Sequence, residues 1–311
     1  MISLRQHAIS IAAIFFALAL GVVLGSQTIA SDLLSGLRDD RADLQHEVDG
    51  LQAENTQLQL QAGAADGFDA AVSGRILANS LADRTVVVFT TPDANPADVD
   101  AVTRNIEAAG AKVTGRVGLT DAFIDVASGD RLRTTISNVI PAGVQLRTAA
   151  VDQGSLAGDL LGSVLLLDAA TAQPQSSPQD TALALETLRG GGFVTYDDAR
   201  PGQLALVVTG GNSGNDGNRG SIVSRFAAAL DGRGAGAALA GLPASAEGSG
   251  PIAVSRADTA LAGTASTIDN INTEAGRITV ALALAEQLNG GVGRYGTGPN
   301  STAVTVGAIP S

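Results

Sequence analysis

The segment ISIAAIFFALALGVVLGSQTI, Ile9 to Ile29, carries no charged residue and constrains the chain more than any other feature. As a helix it would be roughly 32 Å long at ~1.5 Å per residue. That matches a hydrocarbon core of about 30 Å. Two readings fit. One is a membrane anchor over residues 8–30. The other is a cleaved signal peptide with Arg5 as its basic start and Val23-Leu24-Gly25 or Thr28-Ile29-Ala30 at the cleavage site. The apolar stretch exceeds the usual ~7–15 residues of a signal peptide, and neither site is a clean A-x-A, so the anchor is favoured. Arg5 precedes the span, whereas Asp32, Asp39 and Asp40 follow it. The positive-inside bias then predicts a single pass through the cell membrane, with a cytoplasmic N-terminus and the bulk of the chain outside. An outer-envelope location is the alternative.

Directly after the span, leucine falls at Leu37, Leu44, Leu51 and Leu58, seven residues apart each time. With these as d positions, the a positions are Leu34, Arg41, Val48 and Asn55. An apolar d throughout with one polar Asn at a fits a two-stranded parallel coiled coil. The buried Asn costs stability and penalises other registers. A shared membrane also favours a parallel pair. The expected seam is Leu34, Leu37, Leu44, Val48, Leu51, Asn55 and Leu58, and the expected partner of the chain is a second copy of itself. The rival is a single amphipathic helix lying on its own globular domain, for which a wider apolar stripe is usual. Acids Asp40, Glu47 and Glu54 occupy g positions opposite the amides Gln45, Gln52 and Gln59. With no base to pair with, they form a candidate partner surface. The glycines of AGAADGF, Ala62 to Phe68, are expected to end this stalk. The domains are therefore 1–30 (start and anchor), 31–62 (stalk) and 63–311 (head).

The head alternates strand and helix. Val86 to Phe89 is a continuous apolar run, as in a strand buried on both faces. Asn95 caps a helix that begins at Pro96 and shows Val99, Val102, Ile106 and Ala109 on one face. Gly110 ends it and KVTGRV follows as a strand. SVLLLD (Ser163 to Asp168) is expected as a buried strand, then a helix capped by Ser177, then strands GFVTYDD and LALVVTG. A helix follows over Ser221 to Gly234, PIAVSRAD is a further candidate strand, and the last helix is expected to be capped by Asn272. This predicts an α/β fold: a mostly parallel βαβ-type sheet with helices on both faces, one domain rather than two lobes.

Composition removes several functions. The net charge of −12 leaves no basic surface, so nucleic acid is not an expected partner. There is no cysteine, and the two histidines, His7 and His46, precede the head. Ser-His-Asp and Cys-His catalysis in the head is thereby excluded. Only a carboxylate mechanism using Asp168, Asp197 and Asp198 remains, and acids after strands are commonly turn and cap residues. No enzyme activity, catalytic residue or cofactor is expected. Copper favours thiolate, thioether and imidazole ligands, and the head has none, so no metal site is expected. The Gly-rich stretch GGNSGNDGNRGS, Gly210 to Ser221, stands where a phosphate loop would but lacks the G-K-[ST] of one. Aromatics at 3% and apolar strands alternating with helices do not describe an outer-membrane barrel.

MISLRQHAISIAAIFFALALGVVLGS followed by a coiled coil resembles the opening of the actinobacterial family named for mycobacterial copper transport protein B. STIDNINTEAGRITVALALAEQLNGGVGRYG, Ser266 to Gly296, resembles that family's C-terminal signature. The resemblance implies copper efflux or homeostasis, with a proposed pore in the outer envelope. The same family resembles the corynebacterial cell-separation factor SteB. That implies a role beside a membrane partner similar to SteA in controlling a peptidoglycan hydrolase. The residues themselves describe an anchor, a dimer stalk and a ligand-poor head, the build of an envelope scaffold or regulator. Three functions therefore stand: a scaffold acting through protein partners, which is favoured, a copper transport component, and a carboxylate enzyme.

Overall fold

The computed structural model describes residues 4–148, 150–211 and 218–307, without the side chains of 4 and 26–40. The chain divides into two compact units, residues 1–65 and 66–311. The first helix, α1, runs Leu4–Leu77. The glycines at 63 and 67 therefore do not end it. Neither would carry a Cβ that meets anything, and a glycine costs an exposed helix only about 1 kcal/mol. Within the first unit, Arg5–Gly25 is long and apolar enough to cross a membrane, and none of it is buried. It is one N-terminal apolar helix suited to a single-pass anchor.

In the second unit, the elements after α1 are β1 (Thr85–Thr90), α2 (Pro96–Ala108), β2 (Lys112–Leu119), α3 (Asp121–Ile124), α4 (Gly129–Ser137), α5 (Gln153–Leu165) and α6 (Pro178–Gly190). Then come β3 (Val194–Tyr196), β4 (Leu204–Thr209), α7 (Arg219–Asp231), β5 (Ala237–Gly241), α8 (Pro251–Ala257), β6 (Ser266–Ile268), α9 (Glu274–Gln287) and β7 (Arg294–Tyr295). Seven strands form one sheet in the order β3-β2-β1-β4-β5-β6-β7. All neighbours are parallel except β3, which runs antiparallel to β2 at one edge. The mixed α/β, mostly parallel sheet expected from the sequence is present.

The apolar strands follow from coverage on both faces. Successive side chains alternate across a strand. Val87, Phe89 and Val207 enter one core with α3 to α7, while Val86, Val88, Leu206 and Val208 enter the other with α2, α9 and Leu77. Phe226 of α7 packs edge-on against both Phe89 and Phe123, with ring centroids 5.3 Å apart in each pair. The caps on Asn95 and Ser177 form as expected, each side chain accepting from a first-turn N–H.

Three expectations are corrected. Ser163 to Leu165 are the last turn of α5, not a strand, and Leu166 and Leu167 make only isolated bridges. Asp152 caps α5, and Gly154, Gly158 and Gly162 form a glycine face that lets it approach α7. A Cβ on Gly158 would sit 2.6 Å from the Phe226 carbonyl. The apolar run reads as a strand because a helix buried all round loses its polar face. PIAVSRA is α8, started by Pro251 at its first position. The cap of α9 is Thr273, whose hydroxyl accepts from Gly276 N–H, rather than Asn272.

Candidate functional site

On α1, the d and a residues Leu44, Val48, Leu51 and Leu58 are exposed by 44–62%. Leucine and valine at this spacing on a bare helix form an apolar stripe that water covers in the single chain. Asn55 accepts from Gln59 Nε2 at 2.6 Å, a bond within one helix turn. Glu47 and Glu54 are exposed beside the stripe. The side chains of Leu34, Leu37 and Asp40 lie outside the described residues.

The parallel sheet reverses its winding between β1 and β4, which places a crevice at their carboxyl ends. Thr91 and Asp93 stand there after β1, with Thr209 at the end of β4 and Gly210 after it. Thr91 Oγ1 donates to Asp93 Oδ1 at 2.5 Å and lies 3.3 Å from Thr209 Oγ1. Gly210 leaves no room for a Cβ against the Asp93 backbone. Sequence reasoning found the Gly-rich loop but not its place at the reversal of strand order, because strand order is not written locally. Residues 212–217 of that loop, Gly214 and Gly217 among them, lie outside the described residues.

Among the described residues, the three acids expected after strands form no cluster that could hold a metal ion. Asp168 is a turn residue: its carboxylate accepts from Thr171 N–H and hydroxyl and from Ala170 N–H, and these bonds hold it below the usual carboxylate range. Asp197 and Asp198 follow β3 at the sheet edge, and Asp198 pairs with Arg200 at 2.9 Å.

The C-terminal segment is organised by a buried ion pair that sequence reasoning missed. Arg256 of α8 and Asp269, just after β6, are both fully buried, with Arg256 Nη1 2.6 Å from Asp269 Oδ2. Arg256 also donates to the Tyr295 and Pro299 carbonyls and to Thr267 Oγ1. Asp269 accepts from the Thr297 and Gly298 amides at 2.9 and 3.0 Å. Burial draws the Arg256 pKa down, against the bond and charge of Asp269. A second network ties α9 to its surroundings. Asp66 accepts from Glu274 N–H, Glu274 accepts from Asn105, and Arg277 reaches Asp98. In the first network the two charges match one to one; in the second, Arg277 serves both Asp98 and Glu274 while Asp66 accepts from a backbone N–H, so both networks hold the fold rather than present chemistry.

For copper, the donor set is poor. The head has no Cys, His or Met. Among the described residues, no three His, Cys, Asp or Glu side chains converge as metal ligands.

Residues 1–306 match the family described as copper transport outer membrane protein, MctB. The chain belongs to this family. Copper transporter MctB of Mycobacterium tuberculosis (strain ATCC 25618 / H37Rv) is 48% identical over 314 residues, covering 98% of this chain and 99% of that protein. The same-named protein of Mycobacterium leprae (strain TN) is 47% identical over 315 residues, with the same coverage. MctB relatives thus align from the apolar helix through the Arg256–Asp269 network, as the resemblance at both ends of the sequence anticipated.

Proposed function

We propose that this member of the copper transport family is a membrane-anchored, self-associating envelope protein that works through protein partners and carries no enzymatic activity. The observation that carries the reading is the exposed stripe of Leu44, Val48, Leu51 and Leu58 on α1. A second copy would cover it in parallel, with residues 8–30 of each chain in one membrane and the bulk outside. The head offers soft-metal chemistry nothing to work with, so its contribution to copper homeostasis is indirect. A membrane or envelope protein similar to SteA, and control of cell separation through a peptidoglycan hydrolase, fit that build.

Replacing Leu44 and Leu51 by Ala removes two leucines per chain from the seam, each worth roughly 2–5 kcal/mol when packed. Sedimentation of the region after the span is expected to give dimer for the wild type and monomer for the variant. A wild-type monomer at tens of micromolar, about the concentration that −6 kcal/mol of association would populate, overturns the reading.

The names of the relatives favour a second reading, a component that carries copper itself. It needs ligands that the head lacks, and it predicts tight copper binding where the first reading predicts none.

A further inference from the structure

We propose that the apolar helix of this chain pairs inside the membrane with the same helix of a second copy, through Ile9, Ala13, Phe16 and Leu20. These residues carry the heptad of the leucine stalk backwards into the span. Counting back by sevens from Leu37 gives d positions at Ala30, Val23, Phe16 and Ile9, and from Leu34 it gives a positions at Gln27, Leu20 and Ala13. The register holds because α1 is one unbroken helix over Leu4–Leu77, so nothing between the stalk and the span resets its phase. A heptad drifts about 20° per repeat on a straight helix, and left-handed supercoiling removes the drift.

Small and bulky side chains segregate in that register. Between Ile9 and Leu20, the small residues Ser10, Ala12, Ala13, Ala17 and Ala19 all fall at a, e or g, on or beside the seam. The outward b, c and f positions hold Ile11, Ile14, Phe15 and Leu18. The seam side is hollowed as a result. Ile9, Ala12, Ala13, Phe16, Ala17 and Leu20 line a shallow groove of about 590 Å³. In lipid, apolar exposure alone drives nothing, because acyl tails cover a helix as well as another helix does. Close packing does drive association. Alanines flanking the seam let two backbones approach, and Phe16 and Leu20 of each chain then enter the groove of the other.

The occupant is a second copy because the same phase carries the exposed Leu44, Val48, Leu51 and Leu58 outside the membrane. Two chains joined there hold their spans side by side at high effective concentration. The proposal rests on the reading that the stalk self-associates, and extends its seam through the bilayer. Gly21 and Gly25 offer a rival G-x-x-x-G face, where an added Cβ would meet nothing. They fall at b and f, away from the seam. Such a face crosses right-handed at about −40°, against about +20° for a left-handed coil, so it would splay the helices that the stalk brings together.

The test uses the full chain in phosphatidylcholine vesicles. The chain has no cysteine, so single-cysteine variants report proximity without background. Under iodine oxidation, Ala13→Cys and Phe16→Cys are expected to form disulfide dimers about fivefold faster than Ile14→Cys and Leu18→Cys. Adding Ala12→Ile and Ala17→Ile to the Phe16→Cys chain fills the groove without adding polarity, and should slow its dimer about fivefold. Equal rates at all four positions, dimers confined to Gly21→Cys and Gly25→Cys, or indifference to the filled groove would overturn the proposal. Leu51→Cys reads the stalk in the same vesicles. A disulfide there without the span pattern overturns the proposal and leaves the stalk dimer standing. Loss of both overturns the two together.

Discussion

Arg256 and Asp269 meet 2.6 Å apart with both side chains fully buried, and between them they hold β6, Tyr295 and the turn at residues 297–299. A buried pair gains little over an apolar one, but removing a single partner leaves an uncompensated charge. Arg256→Met is therefore expected to destabilise the head by about 3–5 kcal/mol. Urea unfolding of the variant checks this, and a loss under about 1 kcal/mol would show that the pair does not organise the segment.

Much of this architecture was legible in the sequence, and the misses have physical causes. Thr85 to Phe89 and Leu204 to Thr209 were readable because β-branched runs bounded by turn residues specify strands. Asn95-Pro96 and Ser177-Pro178 were readable because a cap before a proline fixes a helix start. Ser163 to Leu165 misled because burial on all sides erases periodicity. The glycine face at 154, 158 and 162 was the signal that could have found the helix. Ala237 to Gly241 is a strand made almost wholly of alanine and glycine, which have little β preference, so its state is set by the strands beside it. The Arg256–Asp269 pair was hidden because charge pairing across 13 residues depends on where β6 ends.

A second buried acid gives the stability a pH dependence. Asp159 is fully buried and held by Arg233 through two bonds of 2.7 Å and by Arg147 at 2.6 Å. Burial pushes its carboxyl up, but the Arg233 hydrogen bond, the Arg147 backbone N–H and the two guanidinium charges outweigh this and hold it below the usual value. A carboxyl with a lowered folded-state pKa adds stability that is complete above its unfolded value of about 3.9 and is lost as pH falls through the folded one. Asp159→Asn should thus be destabilised fully at pH 7, with the deficit shrinking below about pH 4. A deficit independent of pH from 7 to 3, measured by urea unfolding, would show that the ionised form is not what stabilises.

The acids beside the leucine stripe offer a separate test. Glu47 and Glu54 are exposed and face amides rather than bases across the proposed dimer. Changing both to Gln is expected to leave the dimer intact, within about 0.5 kcal/mol, while reducing crosslinking to a basic envelope partner in cells. A double variant that is folded, dimeric and crosslinks as the wild type would leave these acids with solubility as their role.

The most direct measurement of the account is a Cu(I) titration of the full chain in detergent under a competing chelator. The account predicts that no stoichiometric copper is retained, because the head offers no Cys, His or Met. One copper per chain that survives competition would contradict it and assign the transport of the ion to this protein itself.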